Sequence, residues 1–149
     1  MMDTSTLSES VKLAVAPVFL LTAVAAMIGS LTQRLSRVVD RARAIHSQLE
    51  MSDQLKPSIK ASYEAELMDI SKRGRLINLS MVFLVFCAIM IGLTVLELFL
   101  AETVAGQLLI SSLVLYTFIG GIASFILALI SLLIEVLIAS YSIRWKAHA

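Results

Sequence analysis

Three long apolar runs, Leu13 to Thr32, Leu79 to Leu100 and Leu108 to Ser140, set the terms on which this 149-residue chain can fold. A helix crosses a hydrocarbon core with about 20 predominantly apolar residues, and each run is long enough to do so. At 58% hydrophobic and 15% charged, the chain is more apolar than a soluble domain needs to be. The reading is an all-α integral membrane protein. Its single domain, 1–149, comprises three long antiparallel helices that span the bilayer and extend into a cytoplasmic helical stalk. Lys12, an apolar stretch and the small residues Ala23 to Ala26 have the outline of a cleaved signal. The stretch runs on through Met27, Ile28 and Leu31, so the segment is expected to stay as a span. Cys87 lies inside the second run and reads as a small packing residue.

Charge sets the orientation. Nine of the twelve Lys and Arg residues lie between Gln33 and Asn78, and Arg144 and Lys146 follow the third run. Both regions belong in the cytoplasm by the positive-inside rule. The connection from Ala101 to Gly106 has one Glu and no Lys or Arg, and the N-terminal dozen sets Asp3 and Glu9 against Lys12. Both of these belong outside. Three crossings put the termini on opposite sides, so all four assignments agree on an N-terminus outside and a C-terminus in the cytoplasm. Glu97 interrupts the second run only near its outer end, where a carboxylate can reach water. The net charge of +1 lends nucleic-acid binding no support.

The segment between the first two spans is itself helical in pattern. Leu31, Leu35, Val38, Ala42, Ile45 and Leu49 recur at spacings of three and four, one stripe of a helix. The first span therefore continues without a break, giving a helix over 12–50. Ser52, Asp53 and Pro57 place a turn at 51–57. A second helix, 58–100, carries Ile59, Tyr63, Leu67, Ile70 and Ile77 on one face with Gly74 on the same stripe, where a missing side chain would allow close approach. An outer loop at 101–106 precedes a third helix at 107–147.

Two helices joined by a short turn run antiparallel, so residues at equal height have numbers that sum to about 108 around a turn near Gln54. Arg34 then lies level with Gly74 and Arg75, Arg37 with Ser71 and Lys72, and Asp40 and Arg41 with Leu67 and Met68, one residue from Asp69. The third run has thirty-three residues, ~50 Å as one helix against a ~30 Å core. Either it tilts or kinks at Gly120-Gly121, or its end leaves the membrane and packs on the stalk as the third member of a bundle. Tyr141, Arg144, Trp145 and Lys146 look instead like an interfacial belt, which would hold this end at the membrane surface.

On the packed-stalk account, Glu135 comes level with Lys72 and Arg37. A carboxylate within Leu132-Leu133-Ile134-Glu135-Val136-Leu137 needs a partner or water. Asp40 and Asp69 fall near Arg37, Arg41 and Lys72. Together with Arg34, Arg73 and Arg75 they form a charged layer where the bundle leaves the membrane. The layer reads as a structural clamp on helix register, or as an ion-conducting constriction, an anion site or a lipid head-group site. On the first helix, Thr22, Ala26, Gly29 and Gln33 recur at spacings of four, three and four, a packing stripe or, around a symmetry axis, a pore lining. One three-helix unit has too little interior to conduct, so a pore implies a homo-oligomer.

The block Gln33-Arg34-Leu35-Ser36-Arg37-Val38-Val39-Asp40-Arg41-Ala42-Arg43, followed later by Lys72-Arg73-Gly74-Arg75-Leu76-Ile77, resembles the small bacterial membrane proteins catalogued as domain of unknown function 2721. Their first block typically reads Asn-Arg-x-x-Arg-Val-x-Asp-Arg-x-Arg, and Gln33 replaces the Asn here. The resemblance implies three transmembrane helices in a bacterial inner membrane and implies no activity. His46 has only Glu50 at helical spacing, which makes a poor metal site. There is no Ser, His and Asp constellation and no glycine-rich phosphate loop, so neither catalysis nor a metal or other cofactor is expected. Two functions are carried forward: a structural or regulatory membrane component that meets lipid or a cytoplasmic protein partner, and a homo-oligomeric channel or transport-related protein with helix 1 lining the path.

Overall fold

The computed structural model describes the backbone of residues 4–51, 56–103 and 107–146, and the side chains of 11–12, 14–51, 56–100 and 112–140. Three α-helices account for every described residue except Lys56: α1 (Thr4–Met51), α2 (Pro57–Thr103) and α3 (Gln107–Lys146). Each contains a stretch long and apolar enough to cross a membrane. Most of the expected turn and half of the expected outer loop fall outside the described residues, as do the side chains of Tyr141, Arg144, Trp145 and Lys146. Pro57 opens α2 as its first residue, where a missing N–H leaves nothing unpaired, and the Lys56 carbonyl accepts from the backbone N–H of Ile59 at 2.9 Å and of Lys60 at 3.2 Å. Pro17 sits inside α1, so the Leu13 carbonyl lacks its usual donor.

Burial follows a seven-residue repeat. In α1 the buried positions are Ala14, Pro17, Val24, Leu31 and Ile45, with Val38 half-buried between the last two, so that Pro17 to Ile45 recur every seventh residue. In α2 they step by three and four through Ile70, Arg73, Ile77 and Ser80, then Leu84, Cys87, Ile91 and Thr94. In α3 they are Thr117, Gly121, Ser124 and Ala128, then Ser131 and Glu135. A 3.5-residue period is the narrow seam of a coiled coil, in which each buried side chain enters a hole in the facing helix.

The chain divides into two compact units, one formed by Met1–Ile28 with Val82–Ala128 and the other by Gly29–Met81 with Leu129–Ala149. In the first, small and hydroxyl-bearing residues share the interior with Val24, Leu84 and Ile91, while many large apolar residues face outward. Cys87, Thr94, Ser124 and Ala128 are buried, whereas Phe19, Val82, Phe86, Leu96, Tyr116 and Ile119 are exposed. Among its described side chains only Lys12 and Glu97 carry charge. This inversion suits helices packed in lipid, where small residues let backbones approach and hydroxyls bond across the interface. Ser124 Oγ donates to the Phe83 carbonyl at 2.7 Å, joining α3 to α2. The Thr94 hydroxyl lies 3.0 Å from that of Thr117, which donates to Glu97 Oε2 at 2.8 Å, so the half-buried carboxylate has a partner within the bundle.

The tightest glycine is also here. A Cβ on Gly121 would stand 2.8 Å from Ile91 Cδ1 and 3.4 Å from Met90 Cβ, whereas one on Gly120 would meet only Met90 Sδ, at 3.9 Å. In the second unit, a Cβ on Gly74 would touch Val38 Cγ1 at an ordinary 3.5 Å, so that glycine is not what sets the α1–α2 approach. Gly121→Leu is expected to destabilise the protein by about 1–3 kcal/mol through overpacking, while Gly120→Ala and Gly74→Ala stay at or above wild type. Thermal unfolding in detergent would measure all three.

Candidate functional site

Within the second unit the seam of α3 reaches Glu135. The steps 128, 131, 135 carry this carboxylate to the interior, and it is 2% exposed. Among the described residues it is the one charged side chain that is buried. A charge so placed requires a counter-charge within hydrogen-bond reach, and two helices supply it. From α1, Arg34 Nη1 donates to Oε2 at 3.2 Å; from α2, Arg73 Nε and Nη2 reach Oε1 at 3.4 and 3.5 Å. Each carboxylate oxygen thus answers to a different helix. The guanidinium side chains stay 44% and 32% exposed, so they keep water while the carboxylate does not.

A second ion pair lies farther along the same two helices. Arg41 Nε and Nη2 donate to Glu66 Oε1 at 3.0 and 2.8 Å, with both side chains more open to solvent than Glu135. Asp40 accepts from the Ser36 hydroxyl at 3.4 Å, one turn away on its own helix. Among the described residues Arg37, Asp69, Lys72 and Arg75 form no ion pair, and all four are exposed. His46 Nε2 lies 3.8 Å from Glu50 Oε1 on the open surface of α1.

The pairing differs from the expected one in a physically simple way. Height alone puts Glu135 level with Lys72 and Arg37, and it meets Arg73 and Arg34. Height is set by counting residues from a turn, but facing is set by helical phase, and one residue is about 100° of rotation. Arg73 falls on the buried stripe Ile70, Arg73, Ile77; Lys72 points away from it. Asp40 and Asp69 do not neutralise the arginines, because Glu66 serves Arg41. Glu66 is not among the residues expected in the charged layer, although the sum rule that puts Arg41 level with Leu67 also reaches it.

These side chains border a cavity of about 340 Å³. Arg34, Arg37, Arg41 and Arg73 line it with Glu135, and Val38, Ile70 and Ile77 form its apolar wall. Four guanidinium groups line this open cavity with Glu135, and only Arg41 has a further carboxylate partner, Glu66, so its charge is net positive, unfit for a metal cation and suited to an anion. The other predicted set, Thr22, Ala26, Gly29 and Gln33, lies exposed on α1, and no atom of another helix comes within 4 Å of a Cβ built on Gly29. The Thr22 hydroxyl is satisfied by the Val18 carbonyl at 3.1 Å.

An all-helical chain with three membrane-length helices and an arginine-clasped glutamate is therefore the class of protein defined here. The family model described as "Protein of unknown function (DUF2721)" matches residues 14–145, and the chain belongs to that family. No curated protein and no solved structure matches it. Glu135→Ala, which strands two partly wet guanidinium groups, is expected to lower stability by about 1–3 kcal/mol. Glu66→Ala should cost less than about 1 kcal/mol because its pair is open to solvent. Thermal midpoints of the two variants, compared with wild type in the same detergent, check the order.

Proposed function

We propose that this protein is a non-enzymatic structural or regulatory component of the bacterial inner membrane, with its N-terminus outside and its C-terminus in the cytoplasm. The arginine–glutamate cluster acts as a clamp that holds the three helices in register where they leave the bilayer. The observation that carries this reading is Glu135, sealed from solvent and held by one arginine from each of the other two helices. The contacts Arg41–Glu66 and Val38–Gly74 support an antiparallel α1–α2 stalk, since the partner number rises along α2 as it falls along α1. The apolar outer faces of the first unit and the confinement of nearly all described charges to the second support a membrane boundary near their division.

In the second unit α3 still exposes Leu129, Ile130, Leu133, Ile134 and Leu137. An apolar face of this size is poorly suited to water. It favours the interfacial placement of α3 over a fully cytoplasmic one, so that the clamp lies at head-group depth and only the α1–α2 stalk projects farther. A channel in a homo-oligomer is the second reading, and the exposure of Thr22, Ala26, Gly29 and Gln33 on α1 is what favours it.

Cys87 is buried, so Gln48→Cys would be the accessible thiol among the described side chains. A membrane-impermeant maleimide is expected to label that variant in inverted vesicles and not in right-side-out spheroplasts; the opposite pattern would reverse the topology. Proteoliposomes containing the purified protein are expected to show background ion flux. A flux whose ion selectivity changes with Arg37→Glu would replace the clamp by the channel.

A further inference from the structure

We infer that the arginine-lined cavity of the second unit is a binding site for a phosphate oxyanion, and that the phosphodiester of an anionic phospholipid is its ligand. The inference rests on the clamp reading, because Glu135 is what holds Arg34 and Arg73 at the cavity wall. The charge around this open cavity is not balanced. Glu135 is shared by Arg34 and Arg73, Arg41 is matched by Glu66, and Arg37 makes no ion pair among the described residues. Arg34 spends one of its nitrogens on Glu135, which leaves its remaining N–H groups for another acceptor. Guanidinium groups present planar forks of donors that match oxyanions, and several forks around one cavity suit an acceptor with several oxygens, such as phosphate.

The surroundings favour a lipid over free phosphate. Inorganic phosphate makes no use of a wall formed by Val38, Ile70 and Ile77, whereas a phospholipid carries apolar matter directly behind its charged group. The same unit exposes Leu133, Ile134 and Leu137 on α3, a surface suited to acyl chains. At about 340 Å³ the cavity is near the lower end of ligand pockets, roughly 300–1,000 Å³, and fits a head group with the chains left outside.

The test is a thermal-shift titration of the full chain in neutral detergent with phosphatidylglycerol, phosphatidylcholine or inorganic phosphate at constant ionic strength. Midpoints rise with ligand concentration when the native state binds, which yields an apparent affinity. Phosphatidylglycerol is expected to stabilise the wild type, and phosphatidylcholine, which carries the same phosphodiester but also a choline ammonium that the arginines repel, to do so far more weakly. Arg37→Gln removes a cavity charge that supports no ion pair, so it should preserve the ligand-free midpoint and weaken the phosphatidylglycerol response about tenfold, the loss of one charge-assisted hydrogen bond. Lys60→Gln, on the exposed face of α2 outside the cavity, should change neither. An Arg37-dependent response to inorganic phosphate alone would keep the oxyanion site and replace its source. A response unaltered by Arg37→Gln, an equal loss in Lys60→Gln, a response to phosphatidylcholine equal to that to phosphatidylglycerol, or no response to phosphatidylglycerol or inorganic phosphate would overturn the site. Failure of the clamp appears elsewhere, as an unchanged ligand-free midpoint in Glu135→Ala.

Discussion

A carboxylate cannot be sealed inside protein unless something neutralises it there, and that requirement organises the second unit. Glu135 reaches the interior because the seam of α3 continues through residue 135 without a break. Arg34 and Arg73 then have to converge from α1 and α2. A pair of this kind adds little net stability over a well-packed apolar core, but losing one partner is costly, so its main effect is to penalise other arrangements of the helices. Axial slip or rotation of any one helix would leave either the acid or a guanidinium group without its partner.

The same demand does not arise in the first unit, and its chemistry differs accordingly. There the seam combines buried Val24, Leu84 and Ile91 with small side chains and hydroxyls: Gly121 against Ile91, Ser124 on a carbonyl of α2, and Thr117 between Thr94 and Glu97. Hydroxyls of this kind satisfy themselves on carbonyls of their own helix, as Thr94 does on Met90 and Ser80 on Leu76 in the other unit. They therefore occupy an apolar interface at small cost and add only short bonds across it. Specificity there comes from shape. In the arginine cluster it comes from charge, and charge left over after the internal pairs form is what suits the cavity to an anionic ligand.

The three helices were legible because their apolar runs are long and strongly patterned. The basic segment between the first two runs was equally clear as the place where charge gathers. Residue counting from the connections put Arg41 level with Leu67 and Met68, near Asp69, and put Glu135 at the height of the basic cluster, yet it missed Glu66 and selected Lys72 in place of Arg73. Nor did the small stripe Thr22, Ala26, Gly29 and Gln33 reveal its surroundings. Small residues on one face are equally compatible with a helix of the same chain, a second copy or lipid, and among the described residues no side chain of another helix lies within 4 Å of where a Cβ on Gly29 would stand.

The sequence by itself determined that this is an all-helical chain with three membrane-length helices and a concentrated basic region, because hydrophobic run length and charge distribution are properties of the linear order of residues. Only the tertiary structure decided which charges meet. Helical phase, set by the seven-residue packing of the three helices against one another, turned Arg73 and Arg34 toward Glu135 and left Arg37, Lys72 and Arg75 facing outward or into the open cavity. A rotation of one residue separates a clasped charge from a free one, and that rotation is fixed by packing, not by spacing along the chain.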